Sequence, residues 1–88
     1  MERTVEIVPE AGLHARPASK FVETAQEYDC ELKISDAEGD EEPVDARSML
    51  AITSLGLKQG DKMKIEAEGE DAEEALDALE KVITTPEG

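Results

Sequence analysis

His14 is the only histidine among the 88 residues, and its surroundings, Gly12-Leu13-His14-Ala15-Arg16-Pro17-Ala18-Ser19-Lys20, have the composition of an anion site. The helix that this stretch opens carries no Ser, Thr, Asp or Asn before Pro17 to cap it. Arg16 and Lys20 place positive charge in a first turn where carboxylates are preferred. Pro17 reads as the first helical position, where its fixed φ wastes no donor. The amides of Arg16 and Ala18 are then left without an internal partner, and free amides beside a guanidinium suit an oxyanion. Gly12 permits the sharp turn that sets His14 at the mouth of the helix. Imidazole ordinarily titrates near about pH 6.5, so a neutral, nucleophilic form is present at neutral pH and can take a phosphoryl group on one nitrogen. Spacing alone leaves this reading open against an ordinary surface or core histidine.

The other chemistry-bearing side chains read more plainly. Ser48 precedes a short apolar stretch and reads first as an N-cap. Cys30 alternates with charged residues and reads as a small core residue rather than a reactive thiol. One cysteine permits no internal disulfide, and one His with one Cys cannot build a protein zinc site. The acidic stretch Asp36–Glu42 lacks the twelve-residue ligand spacing of a calcium loop. Neither a metal nor a cofactor is expected.

Charge sharpens the picture. With 23 Asp+Glu against 9 Lys+Arg the net charge is −14, which repels nucleic acid and anionic membrane surfaces alike. Against that background, residues 11–22 and 46–60 contain no acid at all. They hold four of the nine basic residues: Arg16, Lys20, Arg47 and Lys58. Burial excludes charge from any core, but it does not explain Arg16, Lys20 and Arg47. Two such windows facing one way would form a neutral-to-basic docking patch on an acidic body. The acidity elsewhere fits a protein adapted to a salty cytoplasm, because at about 1 M salt the Debye length shrinks to about 3 Å and surface carboxylates cease to repel one another.

The elements that must position these residues follow from periodicity. Thr4–Val8 alternates as a strand, broken by Pro9-Glu10-Ala11-Gly12. Ala18, Phe21, Val22 and Ala25 form one stripe of a helix running from Pro17 to about Tyr28. Cys30–Ser35 alternates as a second strand, and Pro43–Ala46 forms a short third strand that its proline confines to an edge. A short helix runs from Met49 to about Leu55, capped by Ser48 and ended by Gly56. Met63–Glu68 is the fourth strand. Asp71, with Glu74 three residues on, nearly makes a capping box for a last helix that Pro86 ends. Single polar faces and single apolar stripes imply an α+β fold of two layers: an antiparallel sheet with helices on one face, in the order β-α-β-β-α-β-α. The chain is long enough for one domain, residues 1–88, with an aliphatic core. No apolar run is long enough to span a membrane and no signal-peptide pattern opens the sequence, so it reads as cytoplasmic.

Gly12-Leu13-His14-Ala15-Arg16-Pro17-Ala18 and Arg47-Ser48-Met49-Leu50…Ser54-Leu55-Gly56-Leu57 closely resemble HPr, the histidine-containing phosphocarrier family of the sugar phosphotransferase system. The likeness extends over nearly the whole chain. It implies an open-faced β-sandwich of four antiparallel strands with three helices on one side. It also implies that His14 receives a phosphoryl group on Nδ1 from phosphorylated Enzyme I and passes it to an Enzyme IIA domain of a sugar permease. Arg16 would steady that group and Pro17 would fix the helix start. Ala15, Ala18, Ser19, Lys20, Arg47, Leu50 and Thr53 would supply phosphate contacts and partner docking. Ser48 matches a serine that a dedicated kinase phosphorylates in some bacterial members, where added negative charge would block docking. The chain would be a monomeric, stoichiometric carrier rather than an enzyme. It departs from the family chiefly in its −14 charge and its extra acids at Asp36–Glu42 and Glu70–Glu74.

The rival within the same fold is a regulatory phosphocarrier serving carbon or nitrogen sensing, or a phosphoenolpyruvate-dependent dihydroxyacetone kinase. The intact His14-Ala15-Arg16-Pro17 argues against a protein that acts by docking alone. An acyl carrier protein, also small and anionic, would be all-helical with an Asp-Ser-Leu attachment site, and no such tripeptide occurs.

Overall fold

The computed structural model describes residues 1–85, running β1 (Glu2–Glu6), α1 (Ala15–Ala25), β2 (Glu31–Asp36), β3 (Val44–Asp45), α2 (Met49–Ser54), β4 (Lys62–Glu68) and α3 (Ala72–Thr84). The four strands form one antiparallel sheet in the order β1-β4-β2-β3. This is the expected open-faced sandwich, with β3 at an edge as Pro43 requires. The role given to Pro86 lies outside the described residues. Among the described residues, no helix is long and apolar enough to cross a membrane.

Alternation decides which face of each strand turns inward. Met63, Ile65 and Ala67 of β4 are buried while Lys62 and Glu68 at its ends are exposed. Leu32 and Ile34 of β2 and Val5 of β1 face the same way. From the helical layer Ala18, Phe21 and Ala25 of α1, Ile52 of α2, and Leu76, Leu79 and Ile83 of α3 close over them. Phe21, fully buried, is the one aromatic ring within this cluster; Tyr28 packs against it from the side. α1 lies against both α3 and α2. Cys30 sits in the core as expected, and burial, followed by the neighbouring Asp71 carboxylate, pushes its thiol pKa up. That keeps it a poor nucleophile.

Most strand and helix ends shift by a residue or two from the periodicity, and some of the differences have a visible cause. β1 ends at Glu6 rather than Val8. The Ile7 amide still donates to the Asp61 carbonyl (2.9 Å), but Val8 turns away to donate to Ile83 at the end of α3 (3.0 Å). α1 ends at Ala25, where the amides of Glu27 and Tyr28 tighten onto carbonyls three residues back. Asp71 occupies the N-cap position of α3 but makes no capping bond; its Oδ2 instead accepts from the Asp29 amide (3.2 Å), joining two loops. The dipole of α3 is met without it, by Glu73 and Glu74 in the first turn and Lys81 in the last. A further tie came with no periodic signal: Arg3 of β1 reaches Asp77 (2.5 Å) and Glu80 (3.0 Å) of α3.

The outer face of the sheet carries charge ladders. Lys64 meets Glu2 and Lys33 meets Glu31, each at 3.6 Å. At the same end, however, Glu2 stands directly opposite Glu66, and Glu31 directly opposite Glu68. Like charges in facing positions destabilise a pair of strands by roughly 0.2–1 kcal/mol, and salt screens that repulsion. Thermal melts in dilute buffer and at about 1 M KCl should therefore show a large rise in Tm with salt. Glu68→Gln should raise Tm in dilute buffer and leave it nearly unchanged at high salt.

Candidate functional site

The loop between β1 and α1 owes its path to one missing side chain. Gly12, at φ +72°, lies so close to the α2–β4 connection that a Cβ there would stand 2.7 Å from the Leu57 carbonyl oxygen and 2.9 Å from Lys58 Cα. Its amide closes a turn onto Pro9 (2.9 Å), and the next amide, of the fully buried Leu13, donates to the Leu57 carbonyl (3.0 Å). Gln59 adds a side-chain bond to the Val8 carbonyl (2.9 Å), and the Gly60 amide donates to Ile7 (2.8 Å). The Leu13–Leu57 bond thus joins the two acid-free windows, and the bonds to Ile7 and Val8 hold the second window to the end of the first strand's extension.

His14 emerges from this clasp, half-buried, with extended backbone (φ −140°, ψ 169°) at the N-cap of α1. No side chain caps the helix and no acid lies in its first turn, as the sequence suggests. The Ala18 amide, expected to be free, donates to the His14 carbonyl (3.3 Å). Among the described residues, the amides of Ala15 and Arg16 take no backbone partner. They are the two N–H groups ahead of Pro17, which has none. Pro17 is buried at the third helical residue, not the first, because Ala15 has entered the helix already. Ala15 does so at φ +51°, a left-handed value. A residue with a Cβ is strained there, and such strain gathers at functional sites. Nothing in the sequence signals it.

The candidates do not all reach one surface. Ala15, Arg16, Ser19 and Lys20 are exposed around the half-buried His14. Ala18 is fully buried against the core, which corrects its placement in a docking face. On α2, Ser48 caps the helix by accepting the Ala51 amide (3.2 Å). Leu50 is 81% exposed and Met49 39%, the large apolar side chains that the acid-free windows leave open to solvent. Met49, the first residue of α2, escaped the sequence reading. The half-buried Thr53 turns its hydroxyl back onto the Met49 and Leu50 carbonyls (2.8 and 3.2 Å). Arg47 departs furthest from expectation. Its Nη2 donates to the carbonyls of Tyr28 (2.5 Å) and Cys30 (2.8 Å), so the half-buried guanidinium is tied to the backbone and does not extend freely from the patch.

The arrangement offers an anion on His14 two amide donors, with the exposed Arg16 in the same turn and the exposed apolar residues Met49 and Leu50 on α2. A family model described as "PTS HPr component phosphorylation site" matches residues 1–85. The phosphocarrier protein HPr of Haloferax volcanii is 56% identical over 87 residues, covering 99% of this chain and 97% of that protein. Among solved structures, HPr from Thermoanaerobacter tengcongensis is similar with a TM-score of 0.85 and 44% identity, over 94% of this chain and 90% of that one. The phosphocarrier protein HPr from Bacillus anthracis gives a TM-score of 0.85 and 37% identity, over 94% and 95%.

Two substitutions test the backbone argument. Gly12→Ala forces the clasp apart and should lower stability by about 1–3 kcal/mol by denaturant unfolding. Ala15→Gly removes a left-handed strain and should raise stability by up to about 1 kcal/mol, read in the same way.

Proposed function

The chain belongs to the HPr family of phosphotransferase-system phosphocarriers, and from that premise we propose that His14 accepts the phosphoryl group from phosphorylated Enzyme I and yields it to an Enzyme IIA domain of a sugar permease. The observation that carries this reading is the placement of the only histidine at an uncapped helix start, with the Ala15 and Arg16 amides unpaired beside it. The new phosphoryl oxygens on the imidazole would take those amides and the Arg16 guanidinium as donors. Pro17 supports the same geometry from below, since its buried ring anchors the first turn to the core.

Leu50 and Met49 supply the apolar centre of docking, with Ala15, Ser19 and Lys20 around them. Each partner uses this face in turn, and transfer then depends on proximity and in-line placement within the complex. The chain acts as a stoichiometric carrier, one protomer at a time, in the cytoplasm. We keep Ser48 as a helix cap, since its oxygen is already engaged by the Ala51 amide.

Incubation with phosphoenolpyruvate and the cognate Enzyme I should give an acid-labile adduct of roughly 80 Da, the mass of one phosphoryl group. His14→Ala should abolish it; a variant phosphorylated at the parent rate would overturn the assignment. Arg16→Ala should slow transfer roughly tenfold or more while leaving Tm almost unmoved, because the residue is exposed.

A further inference from the structure

In a chain with 23 carboxylates, Arg47 ignores them: its guanidinium makes no ion pair among the described residues and bonds two backbone carbonyls instead. Those carbonyls, of Tyr28 and Cys30, belong to the connection that leads from the end of α1 at Ala25 into β2 at Glu31. Arg47, two residues past β3, thereby ties the segment that opens α2 to that connection.

Its own backbone is fixed as firmly. The Arg47 amide donates to Asp45 Oδ1 (2.9 Å), and the Ser48 amide to the Asp45 carbonyl (3.2 Å). The next residues are the N-cap and the six-residue helix α2, which displays Met49 and Leu50. A helix of that length does not hold itself together in water. It has no acid in its first turn and no base in its last. Its order therefore depends on what secures its start and on Ile52 in the core.

We propose that Arg47 is a positioning residue: by locking the start of α2 to the connection between α1 and β2, it sets the Leu50 face relative to His14, without itself touching a partner. This rests on the carrier reading of the site. If partners bind only the ordered α2, their apparent affinity falls in proportion to the ordered fraction. A direct docking cation makes the opposite forecasts. Lysine would replace it well, and its removal would weaken the salt dependence of association. Both carbonyls take the one Nη2, whose two protons point in directions fixed by the guanidinium plane, whereas a lysine ammonium is a point charge on a flexible stem with no such fixed directions.

The experiment compares the parent protein with Arg47→Gln and Arg47→Lys, at a salt concentration and temperature where melts show all three folded. Phosphorylation kinetics with Enzyme I as the varied species should show KM up by roughly tenfold in both variants with kcat nearly unchanged. The slope of log KM against log salt should be the same in all three. Amide hydrogen exchange should quicken at Ala51 and Ile52 by a comparable factor, while the core amides of β4 keep the parent rates. A role confined to global stability would move the β4 amides and not KM. Arg47→Lys at the parent KM, a flattened salt slope in Arg47→Gln, or unchanged exchange in α2 would each sink the proposal. Should the parent protein itself take no phosphoryl group, the carrier reading fails, and the exchange comparison still decides whether Arg47 orders α2.

Discussion

The backbone contact at Gly12 governs the placement of everything chemical in this protein. Because no Cβ intervenes, the peptide after β1 can lie against the Leu57 carbonyl and Lys58, and the Leu13 amide bonds across the gap. Leu13 then fills the core and His14 has to leave it, arriving at the start of α1 half-exposed. The contact also fixes the connection that follows α2, so the helix bearing Leu50 and the helix opened by His14 are held from one seam. Close packing makes such a seam stiff, since there is no free volume through which it can yield.

Much of this was legible in the chain itself, because it depends on local rules. Ser48 caps α2 through the Ala51 amide, Gly56 follows that helix at φ +67°, and Pro43 confines β3 to an edge. The period-two pattern picked the buried residues of β2 and β4, and the scarcity of acid in two windows marked the segments that turn out to be joined. What escaped depends on distant groups. Asp71 looks like a cap, but the Asp29 amide reaches it first. Pro17 looks like the first helical residue, but the left-handed turn at Ala15 starts the helix two residues earlier. Arg47 looks like a surface cation because nothing near it in sequence reveals that the carbonyls of Tyr28 and Cys30 will lie within its reach. Ala18 illustrates the opposite trap: it sits inside a functional motif, yet it is core.

The charge of −14 is distributed with the same logic. Carboxylates cover the outer face of the sheet and the loops, where facing pairs such as Glu31 and Glu68 tolerate one another only when screened. The helical layer is not uniformly spared, since α3 carries Glu73, Glu74, Asp77 and Glu80, but residues 11–22, which open α1 around His14, contain none. That acid-free opening suits the phosphoryl site proposed at His14.

The smallness of α2 bears on timing. Two protruding side chains, Met49 and Leu50, on a helix of six residues offer little apolar surface, and it is the weak, transient encounters that bury the least. Complexes of that kind dissociate quickly, and affinity differences among them reside mostly in the off-rate. On the carrier reading proposed above, a single face serves two proteins in turn and must vacate the first before it reaches the second. A broader, greasier surface would have lengthened each visit and throttled the traffic.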